Sequence, residues 1–181
     1  MKIRQLAQKG FVLVTAMIFL VIMTLLAVTS IQRATNEEKV SGNIRAQNLA
    51  FQAAEAALRF CQKDLEATGP NGRLPLDPGT TKTLSGIPIN EYPPANTATS
   101  PPPMPTLWSD KTKWTNATSY TLADNTILNV AAQPQCMIEN WLFPKPKGGV
   151  YYDYVITARA VGSTTTSVVW LQATIRTVPE K

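Results

Sequence analysis

Hydrophobic and polar positions divide the chain into an apolar run, an amphipathic stretch, a proline-rich stretch and a C-terminal stretch with strand character. The apolar run covers residues 11–31, which are 21 residues without a charge. At a rise of about 1.5 Å per residue, a helix of this length matches the hydrocarbon core of a bilayer. We therefore predict a transmembrane helix over residues 11–31.

Helical spacing continues over residues 32–66, where the apolar run gives way to a mixture of polar and apolar residues. One set of positions recurs every three or four residues, and all but one of its members are apolar: Val40, Ile44, Gln47, Phe51, Ala54, Leu58, Cys61 and Leu65. Such spacing is typical of one apolar stripe on an amphipathic helix. The pair Gly69-Pro70 then ends the predicted helix, because proline can neither continue it nor donate a backbone hydrogen bond.

Residues 67–134 lack a hydrophobic period and contain ten prolines between positions 70 and 105. We predict a long irregular connection, partly of polyproline type, that wraps over the domain, and a mobile loop that displays a binding epitope is the alternative. Weak apolar patches in residues 120–132 predict a short helix or strand there. Trp108 and Trp114 are interpreted as packing residues that hold this connection against the core.

Strand character is concentrated in residues 135–181. The segments 135–141, 152–161 and 167–176 are rich in β-branched and aromatic residues, and the latter two are separated by a short polar turn. The predicted fold is therefore α+β, in which a long N-terminal helix, half transmembrane and half amphipathic, packs on a small C-terminal antiparallel sheet.

The charges near the N-terminus predict the orientation in the membrane. Lys2, Arg4 and Lys9 precede the apolar run, and cationic flanks stay in the cytoplasm, so everything after Arg33 is predicted to lie in the periplasm. Without these three residues the net charge falls from +5 to +2. No basic patch interleaved with aromatic residues stands out, so we do not predict nucleic-acid binding.

Cys61 and Cys136 both fall on the predicted periplasmic side. An oxidising periplasm and a small, even number of cysteines favour one disulfide between them. The predicted strand over residues 135–141 would begin with Cys136 facing the helix, near Cys61. Two buried free thiols are the alternative.

Most enzyme classes are disfavoured by the residues that the chain lacks. It contains no histidine, which removes histidine acid–base chemistry, Ser-His-Asp triads and nearly all catalytic zinc sites. Phosphate-loop and dinucleotide-binding motifs are also missing from the sequence. We therefore predict a protein that is not an enzyme and that binds no metal or cofactor.

The residues at the start of the apolar run resemble a known processing site. A short basic leader, residues 1–10, closes on Gly10 and is followed at once by Phe11. This arrangement resembles the prepilin peptidase site of type IV pilins and type II secretion pseudopilins. The resemblance implies that prepilin peptidase cuts between Gly10 and Phe11, that the Phe11 amine is methylated, and that the apolar run stays on the mature protein. A secretory signal peptide and a plain signal anchor are the alternatives.

A second resemblance lies in the helical continuation. Residues 37–43 and 47–59, and above all the tract from Ala50 to Leu58, are similar to the N-terminal signature of PilX-type minor pilins. This implies a low-abundance component of the type IV pilus that joins other minor and major pilins through its N-terminal helix and contacts a tip adhesin. Glu55 lies in the tract, where it is either an exposed charge with local contacts or an intersubunit contact.

One position departs from the usual pilin pattern. Most pilins carry glutamate as the fifth residue of the mature chain, where it neutralises a neighbour's amino terminus, whereas the fifth residue here is Thr15. A similar departure occurs in the K-type minor pseudopilin of type II secretion, which is placed at a tip. Thr15 therefore favours an end position, and a tolerated helical threonine is the alternative.

These features together predict a minor pilin that helps to prime type IV pilus assembly in a tip or initiation complex. Before assembly it would span the inner membrane once, and afterwards it would lie in the pilus fibre. A type II secretion minor pseudopilin and a membrane-anchored periplasmic binding domain are the alternatives.

Overall fold

The computed structural model of the chain describes residues 11–68, 81–92, 104–144 and 150–176. These ranges contain one helix, two short 3-10 turns and five strands. The elements are α1 (Phe11–Thr68), β1 (Ile89–Tyr92), β2 (Tyr120–Thr121), β3 (Gln135–Pro144), β4 (Val150–Val161) and β5 (Val168–Arg176). The chain divides into two units, Met1–Ile44 and Arg45–Lys181, and each is described by itself.

The described part of the first unit is helical and exposes its apolar side chains. The large apolar residues between Phe11 and Ile31 are 48% to 76% exposed. The helix is long and apolar enough to cross a membrane, and none of its most apolar stretch is buried. Threonine hydroxyls in this stretch donate to carbonyls of the same helix, for example Thr24 to Val21 at 2.8 Å. The stretch therefore leaves few polar groups that need water, as a lipid environment requires.

The second unit packs the C-terminal part of α1 on a mixed sheet. The strands lie in the order β1-β3-β4-β5, and β2 also pairs with β3. The three predicted C-terminal strands are present and antiparallel, with Ile138 opposite Ile156 and Ile156 opposite Ala173. The predicted α+β class is confirmed.

The sheet is larger and more mixed than the sequence predicts. Strand β1 runs parallel to β3, and β2 pairs antiparallel with the first two residues of β3. Strand β1 comes from the stretch predicted to be irregular, whereas β2 falls at the start of residues 120–132, for which a short helix or strand is predicted. Burial holds β1 on the sheet, because Ile89 at its start and Ile87, two residues before it, both lie in the core.

The helix-facing side of the sheet is apolar and closely packed. Its core combines residues of the helix, of the connection and of the strands: Ala57, Cys61, Leu65, Ile87, Ile89, Leu122, Cys136, Ile138, Tyr154, Ile156 and Ala158. Burial of this apolar surface is the main favourable term for folding of the unit.

The predicted apolar stripe on the helix is only partly correct. Phe51 is 48% exposed and Gln47 is also exposed, whereas Cys61 and Leu65 are fully buried. The buried side consists mostly of alanines: Ala46, Ala50, Ala53, Ala54 and Ala57. Alanine lets the helix backbone lie close to the strands, and the larger Phe51 does not fit there. Close approach explains why the smallest side chains, rather than the most hydrophobic ones, face the sheet.

At Gly162 the backbone of the helix lies very close to the end of β4. The residue follows β4 directly, and a Cβ atom built on it would overlap the backbone carbonyl of Ala46. Its amide donates to the carbonyl of Ser167 across the β4–β5 turn at 2.8 Å, and its carbonyl accepts from Ala131 at 2.7 Å. Only glycine fits between these neighbours without moving the backbone.

The outer side of the sheet, opposite the helix, is covered by residues 104–118, which we call the tryptophan segment. Strand alternation places Met137, Glu139, Val155 and Thr157 on this side, and all four are buried. The segment contains the turns Leu107–Ser109 and Lys111–Lys113. Part of the proline-rich connection therefore closes a second core.

Candidate functional site

The predicted processing site lies at the start of α1. Gly10 lies outside the described residues. Phe11 is the first residue of the helix and its side chain is 76% exposed. The cleavage and methylation predicted here stay predictions.

Thr15 satisfies its hydroxyl within its own helix. The hydroxyl donates to the carbonyl of Phe11 at 3.1 Å or that of Val12 at 2.9 Å. This arrangement removes the cost of placing an unpaired hydroxyl in lipid. Position 15 therefore carries a neutral group that is paired within the helix.

Glu55 makes a local contact on the helix surface. It forms an ion pair with Arg59, one helical turn later, and the two side chains are 40% and 74% exposed. Exposed pairs at this spacing contribute only about 0.3–0.5 kcal/mol. The carboxylate stays accessible from solvent, so an intersubunit role for Glu55 stays a prediction.

The structure brings Cys61 and Cys136 together in a disulfide. The two residues are separated by 75 positions, their Cα atoms lie 6.5 Å apart, and both are fully buried. The bond joins the last turns of α1 to the beginning of β3, in the middle of the helix-facing core.

Glu139 is a buried carboxylate that no sequence motif points to. Its Oε1 atom accepts a hydrogen bond from the backbone amide of Leu107 at 2.8 Å, and its Oε2 atom is buried without a partner. Burial raises the pKa of Glu139, against the opposing effect of the Leu107 and Trp108 amides. The carboxyl group therefore ties the tryptophan segment to the sheet. Strand alternation alone could identify its side of the sheet but not the segment that covers it.

The side chains of Trp108, Trp114 and Trp170 cluster on the outer side of the sheet. The rings of Trp108 and Trp114 lie 6.2 Å and 5.1 Å from the ring of Trp170, the latter edge-on. The indole of Trp114 donates to the carbonyl of Trp108 at 2.8 Å. The guanidinium carbon of Arg159 lies 5.5 Å from the centre of the Trp170 ring, within cation–π distance. The tryptophans thus hold the segment on the outer side, and all three are half-buried.

Two further carboxylates of the second unit have defined partners. Asp153 is fully buried and accepts from the Arg176 guanidinium through Nε at 2.9 Å and Nη2 at 2.8 Å. Asp110 accepts from the hydroxyl and the amide of Thr112, which lower its pKa. Within the described ranges, no group of three or more aspartate, glutamate or cysteine residues is placed to hold a metal ion.

Two family models match the chain. The model described as PilX N-terminal matches residues 9–59, and the one described as type IV pilus assembly protein PilX C-term matches residues 71–177. Comparisons with curated proteins and with solved structures give no match. The two family matches include the start of the apolar helix, Cys136 and all five strands, and Cys61 lies between the two matched ranges. The chain therefore belongs to the PilX family of type IV pilus assembly proteins and is a PilX-type minor pilin.

Proposed function

We propose that this minor pilin primes assembly of the type IV pilus in a tip or initiation complex with other minor pilins. Its family is one of structural pilus components, so contact with other components of the pilus follows from membership. The tip position, the priming role and the identity of the neighbours go beyond that membership.

The observation that carries this proposal is the neutral, internally bonded side chain of Thr15. A subunit in the shaft must neutralise the amino terminus of a neighbour, since an unpaired charge in an apolar bundle is costly. Thr15 has no charge to offer, and its hydroxyl already donates to carbonyls of its own helix. The chain's own amino terminus would still be met by the glutamate of another subunit. A subunit whose amino terminus is neutralised by a neighbour, but which neutralises no neighbour itself, suits the end of a fibre.

The exposed apolar helix supports a mechanical role in assembly. The side chains between Phe11 and Ile31 are unburied within the chain, so lipid would cover them before assembly and neighbouring pilin helices afterwards. Because both environments are apolar, the transfer costs little hydrophobic energy, and side-chain packing decides whether the subunit enters the fibre. The basic leader would hold the N-terminal end of the helix on the cytoplasmic side of the membrane until prepilin peptidase removes the leader.

Processing is tested by mass spectrometry of the mature protein from cells with and without prepilin peptidase. We expect a chain that starts at methylated Phe11 in the first case and at Met1 in the second. A chain that starts at Met1 in both would contradict the proposal.

The tip position is tested by labelling the protein on pili by immunogold microscopy. We expect wild-type label at fibre ends, and we expect Thr15→Glu to place label along the shaft as well. Thr24→Glu is the matched control, because Thr24 is also hydrogen-bonded to its own helix but lies nine residues further on. Wild-type label along the whole shaft would overturn the tip position.

The priming role and the partners are tested in a deletion strain and by affinity purification. We expect few or no surface pili without the protein, and copurification of other minor pilins and of a tip adhesin. Normal piliation in the deletion strain would contradict priming. Copurification of type II secretion pseudopilins instead would favour the alternative machine.

A further inference from the structure

Strand β5 forms a free edge of the sheet. Its residues pair with β4 from Val168 opposite Val161 to Arg176 opposite Asp153. No other strand in the described part of the chain pairs with β5 on its second side. Alternate backbone amides and carbonyls along the strand therefore point away from the sheet without a partner strand.

Two features by which proteins usually protect such an edge, charged residues and proline, are missing from most of this strand. Residues 168–175 contain no charged residue and no proline, and the first charge on the strand is Arg176 at its end. Edges of soluble domains are normally shortened, bulged, charged or covered, because an apolar open edge is a template for another strand. A nine-residue edge that is uncharged up to its last residue is therefore suited to receive a strand from another polypeptide.

Arg159 places a cation beside this edge. Its guanidinium lies over the Trp170 ring, and Trp170 belongs to the edge strand itself. In the described part of the chain, no carboxylate forms an ion pair with Arg159, and its Nε atom is buried without a hydrogen-bond partner. An arginine next to clustered tryptophans is the composition typical of energetically important interface positions.

We propose that β5 is a docking edge for an extended segment of a partner protein, and that an acidic side chain of this segment pairs with Arg159. Main-chain hydrogen bonds along β5 would supply affinity, and the charge pair would select the register and the partner. A second copy of this chain fits less well, because its own β5 contains no carboxylate and would add Arg176 to the seam. The proposal does not depend on a tip position.

The test is site-specific photo-crosslinking of the full-length protein in the cells that produce it. A benzoylphenylalanine at Thr174, an exposed position of β5, reports on a strand that docks along the edge. The same probe at Thr165, an exposed position in the β4–β5 turn, is the matched control. Crosslinked peptides are identified by mass spectrometry, and the yields are compared in the wild type, Arg159→Gln and Arg159→Lys.

We expect adducts from position 174 but not from position 165, mapped to an extended segment that contains aspartate or glutamate. We expect Arg159→Gln to lower the adduct yield about tenfold and Arg159→Lys to restore much of it, because the charge is kept. Thermal unfolding of the purified full-length variants must remain close to that of the wild type, since Arg159 is half-buried.

Three results would overturn the proposal. The first is a yield at position 174 no higher than at position 165. The second is an adduct with a second copy of this chain, which would make β5 a dimer contact. The third is an adduct whose yield is the same in stably folded Arg159→Gln.

Discussion

The two sides of the sheet are closed in different ways. On the helix-facing side, alanines and Gly162 let backbones approach closely, and a disulfide joins helix to strand. On the outer side, the tryptophan segment is held by aromatic contacts and by the carboxyl group of Glu139, one oxygen of which is unpaired. The first side depends on shape and a covalent bond, and is insensitive to pH. The second depends on a titratable group, so conditions that leave the first side intact can loosen it.

Removal of the disulfide should have the largest effect on stability. The double variant Cys61→Ala/Cys136→Ala should lose about 4 kcal/mol, because the unfolded chain regains the entropy of a long open loop. Chemical denaturation of the oxidised wild type and of the variant measures the difference. Equal stabilities would show that the helix-facing side is held by packing alone.

Gly162→Ala tests the close approach of the helix to the sheet. We expect a loss of about 2 kcal/mol, because the added methyl group would overlap the Ala46 carbonyl and force the backbone to move. Gly42→Ala is the matched control, since nothing lies near its Cβ position and alanine favours a helix by about 1 kcal/mol. We expect the denaturation midpoint to fall in Gly162→Ala and to rise in Gly42→Ala. An unchanged midpoint in Gly162→Ala would refute the close approach.

Glu139 should make the outer side sensitive to pH. Because the pKa of Glu139 is raised in the folded chain, the folded form holds its proton more tightly than the unfolded form does. Stability from this group is therefore fully present below its ordinary pKa of 4.5 and is lost as pH rises through the raised value. Glu139→Gln should abolish this loss.

Melting temperatures between pH 4.5 and 8 measure this effect, with tryptophan fluorescence, to which Trp108, Trp114 and Trp170 contribute, as a second probe. Glu91→Gln, which alters an exposed carboxylate on β1 of the same sheet, is the control and should leave the pH slope unchanged. If the slope is identical in the wild type and in Glu139→Gln, the carboxyl group does not control this side.

Phe51→Ala should have the smallest effect, because Phe51 lies on α1 but not on its sheet-facing side. We expect its free energy of unfolding to change by less than about 0.5 kcal/mol, as for most exposed positions. Ala53→Leu, two residues away on the buried side, should lose about 1–3 kcal/mol by overpacking. A large loss of stability in Phe51→Ala would show that Phe51 packs in the core, as its helical spacing predicts.

The uncharged run and the helical spacing predicted the helix, and β-branched and aromatic content predicted the three main strands, because each of these signals extends over many residues. The predicted stripe wrongly included Phe51 because it was chosen for hydrophobic residues at helical spacing. The close packing of the helix on the sheet instead favours small side chains on the buried side. Strand β1 was missed because it is four residues long and pairs with β3, which lies far along the chain. Glu139 was missed because alternation cannot show that the proline-rich connection returns to cover the outer side.

The family matches agree with the resemblance read from residues 37–59, whose helical sequence is the most distinctive part of the chain. The replacement of the usual pilin glutamate by Thr15 could also be recognised from the sequence, because it requires only counting five residues from the predicted processing site. The edge position of β5 could not be predicted from the sequence, since it becomes visible only when the strand order is known.

The disulfide also has a consequence for a fibre that bears load. A pull applied between the end of α1 and β3 would pass through the sulfur–sulfur bond from Cys61 to Cys136. The intervening loop would then carry no tension, although it contains most of the prolines and the tryptophan segment. This region can therefore vary in length and conformation without weakening the mechanical link between the anchor helix and the sheet.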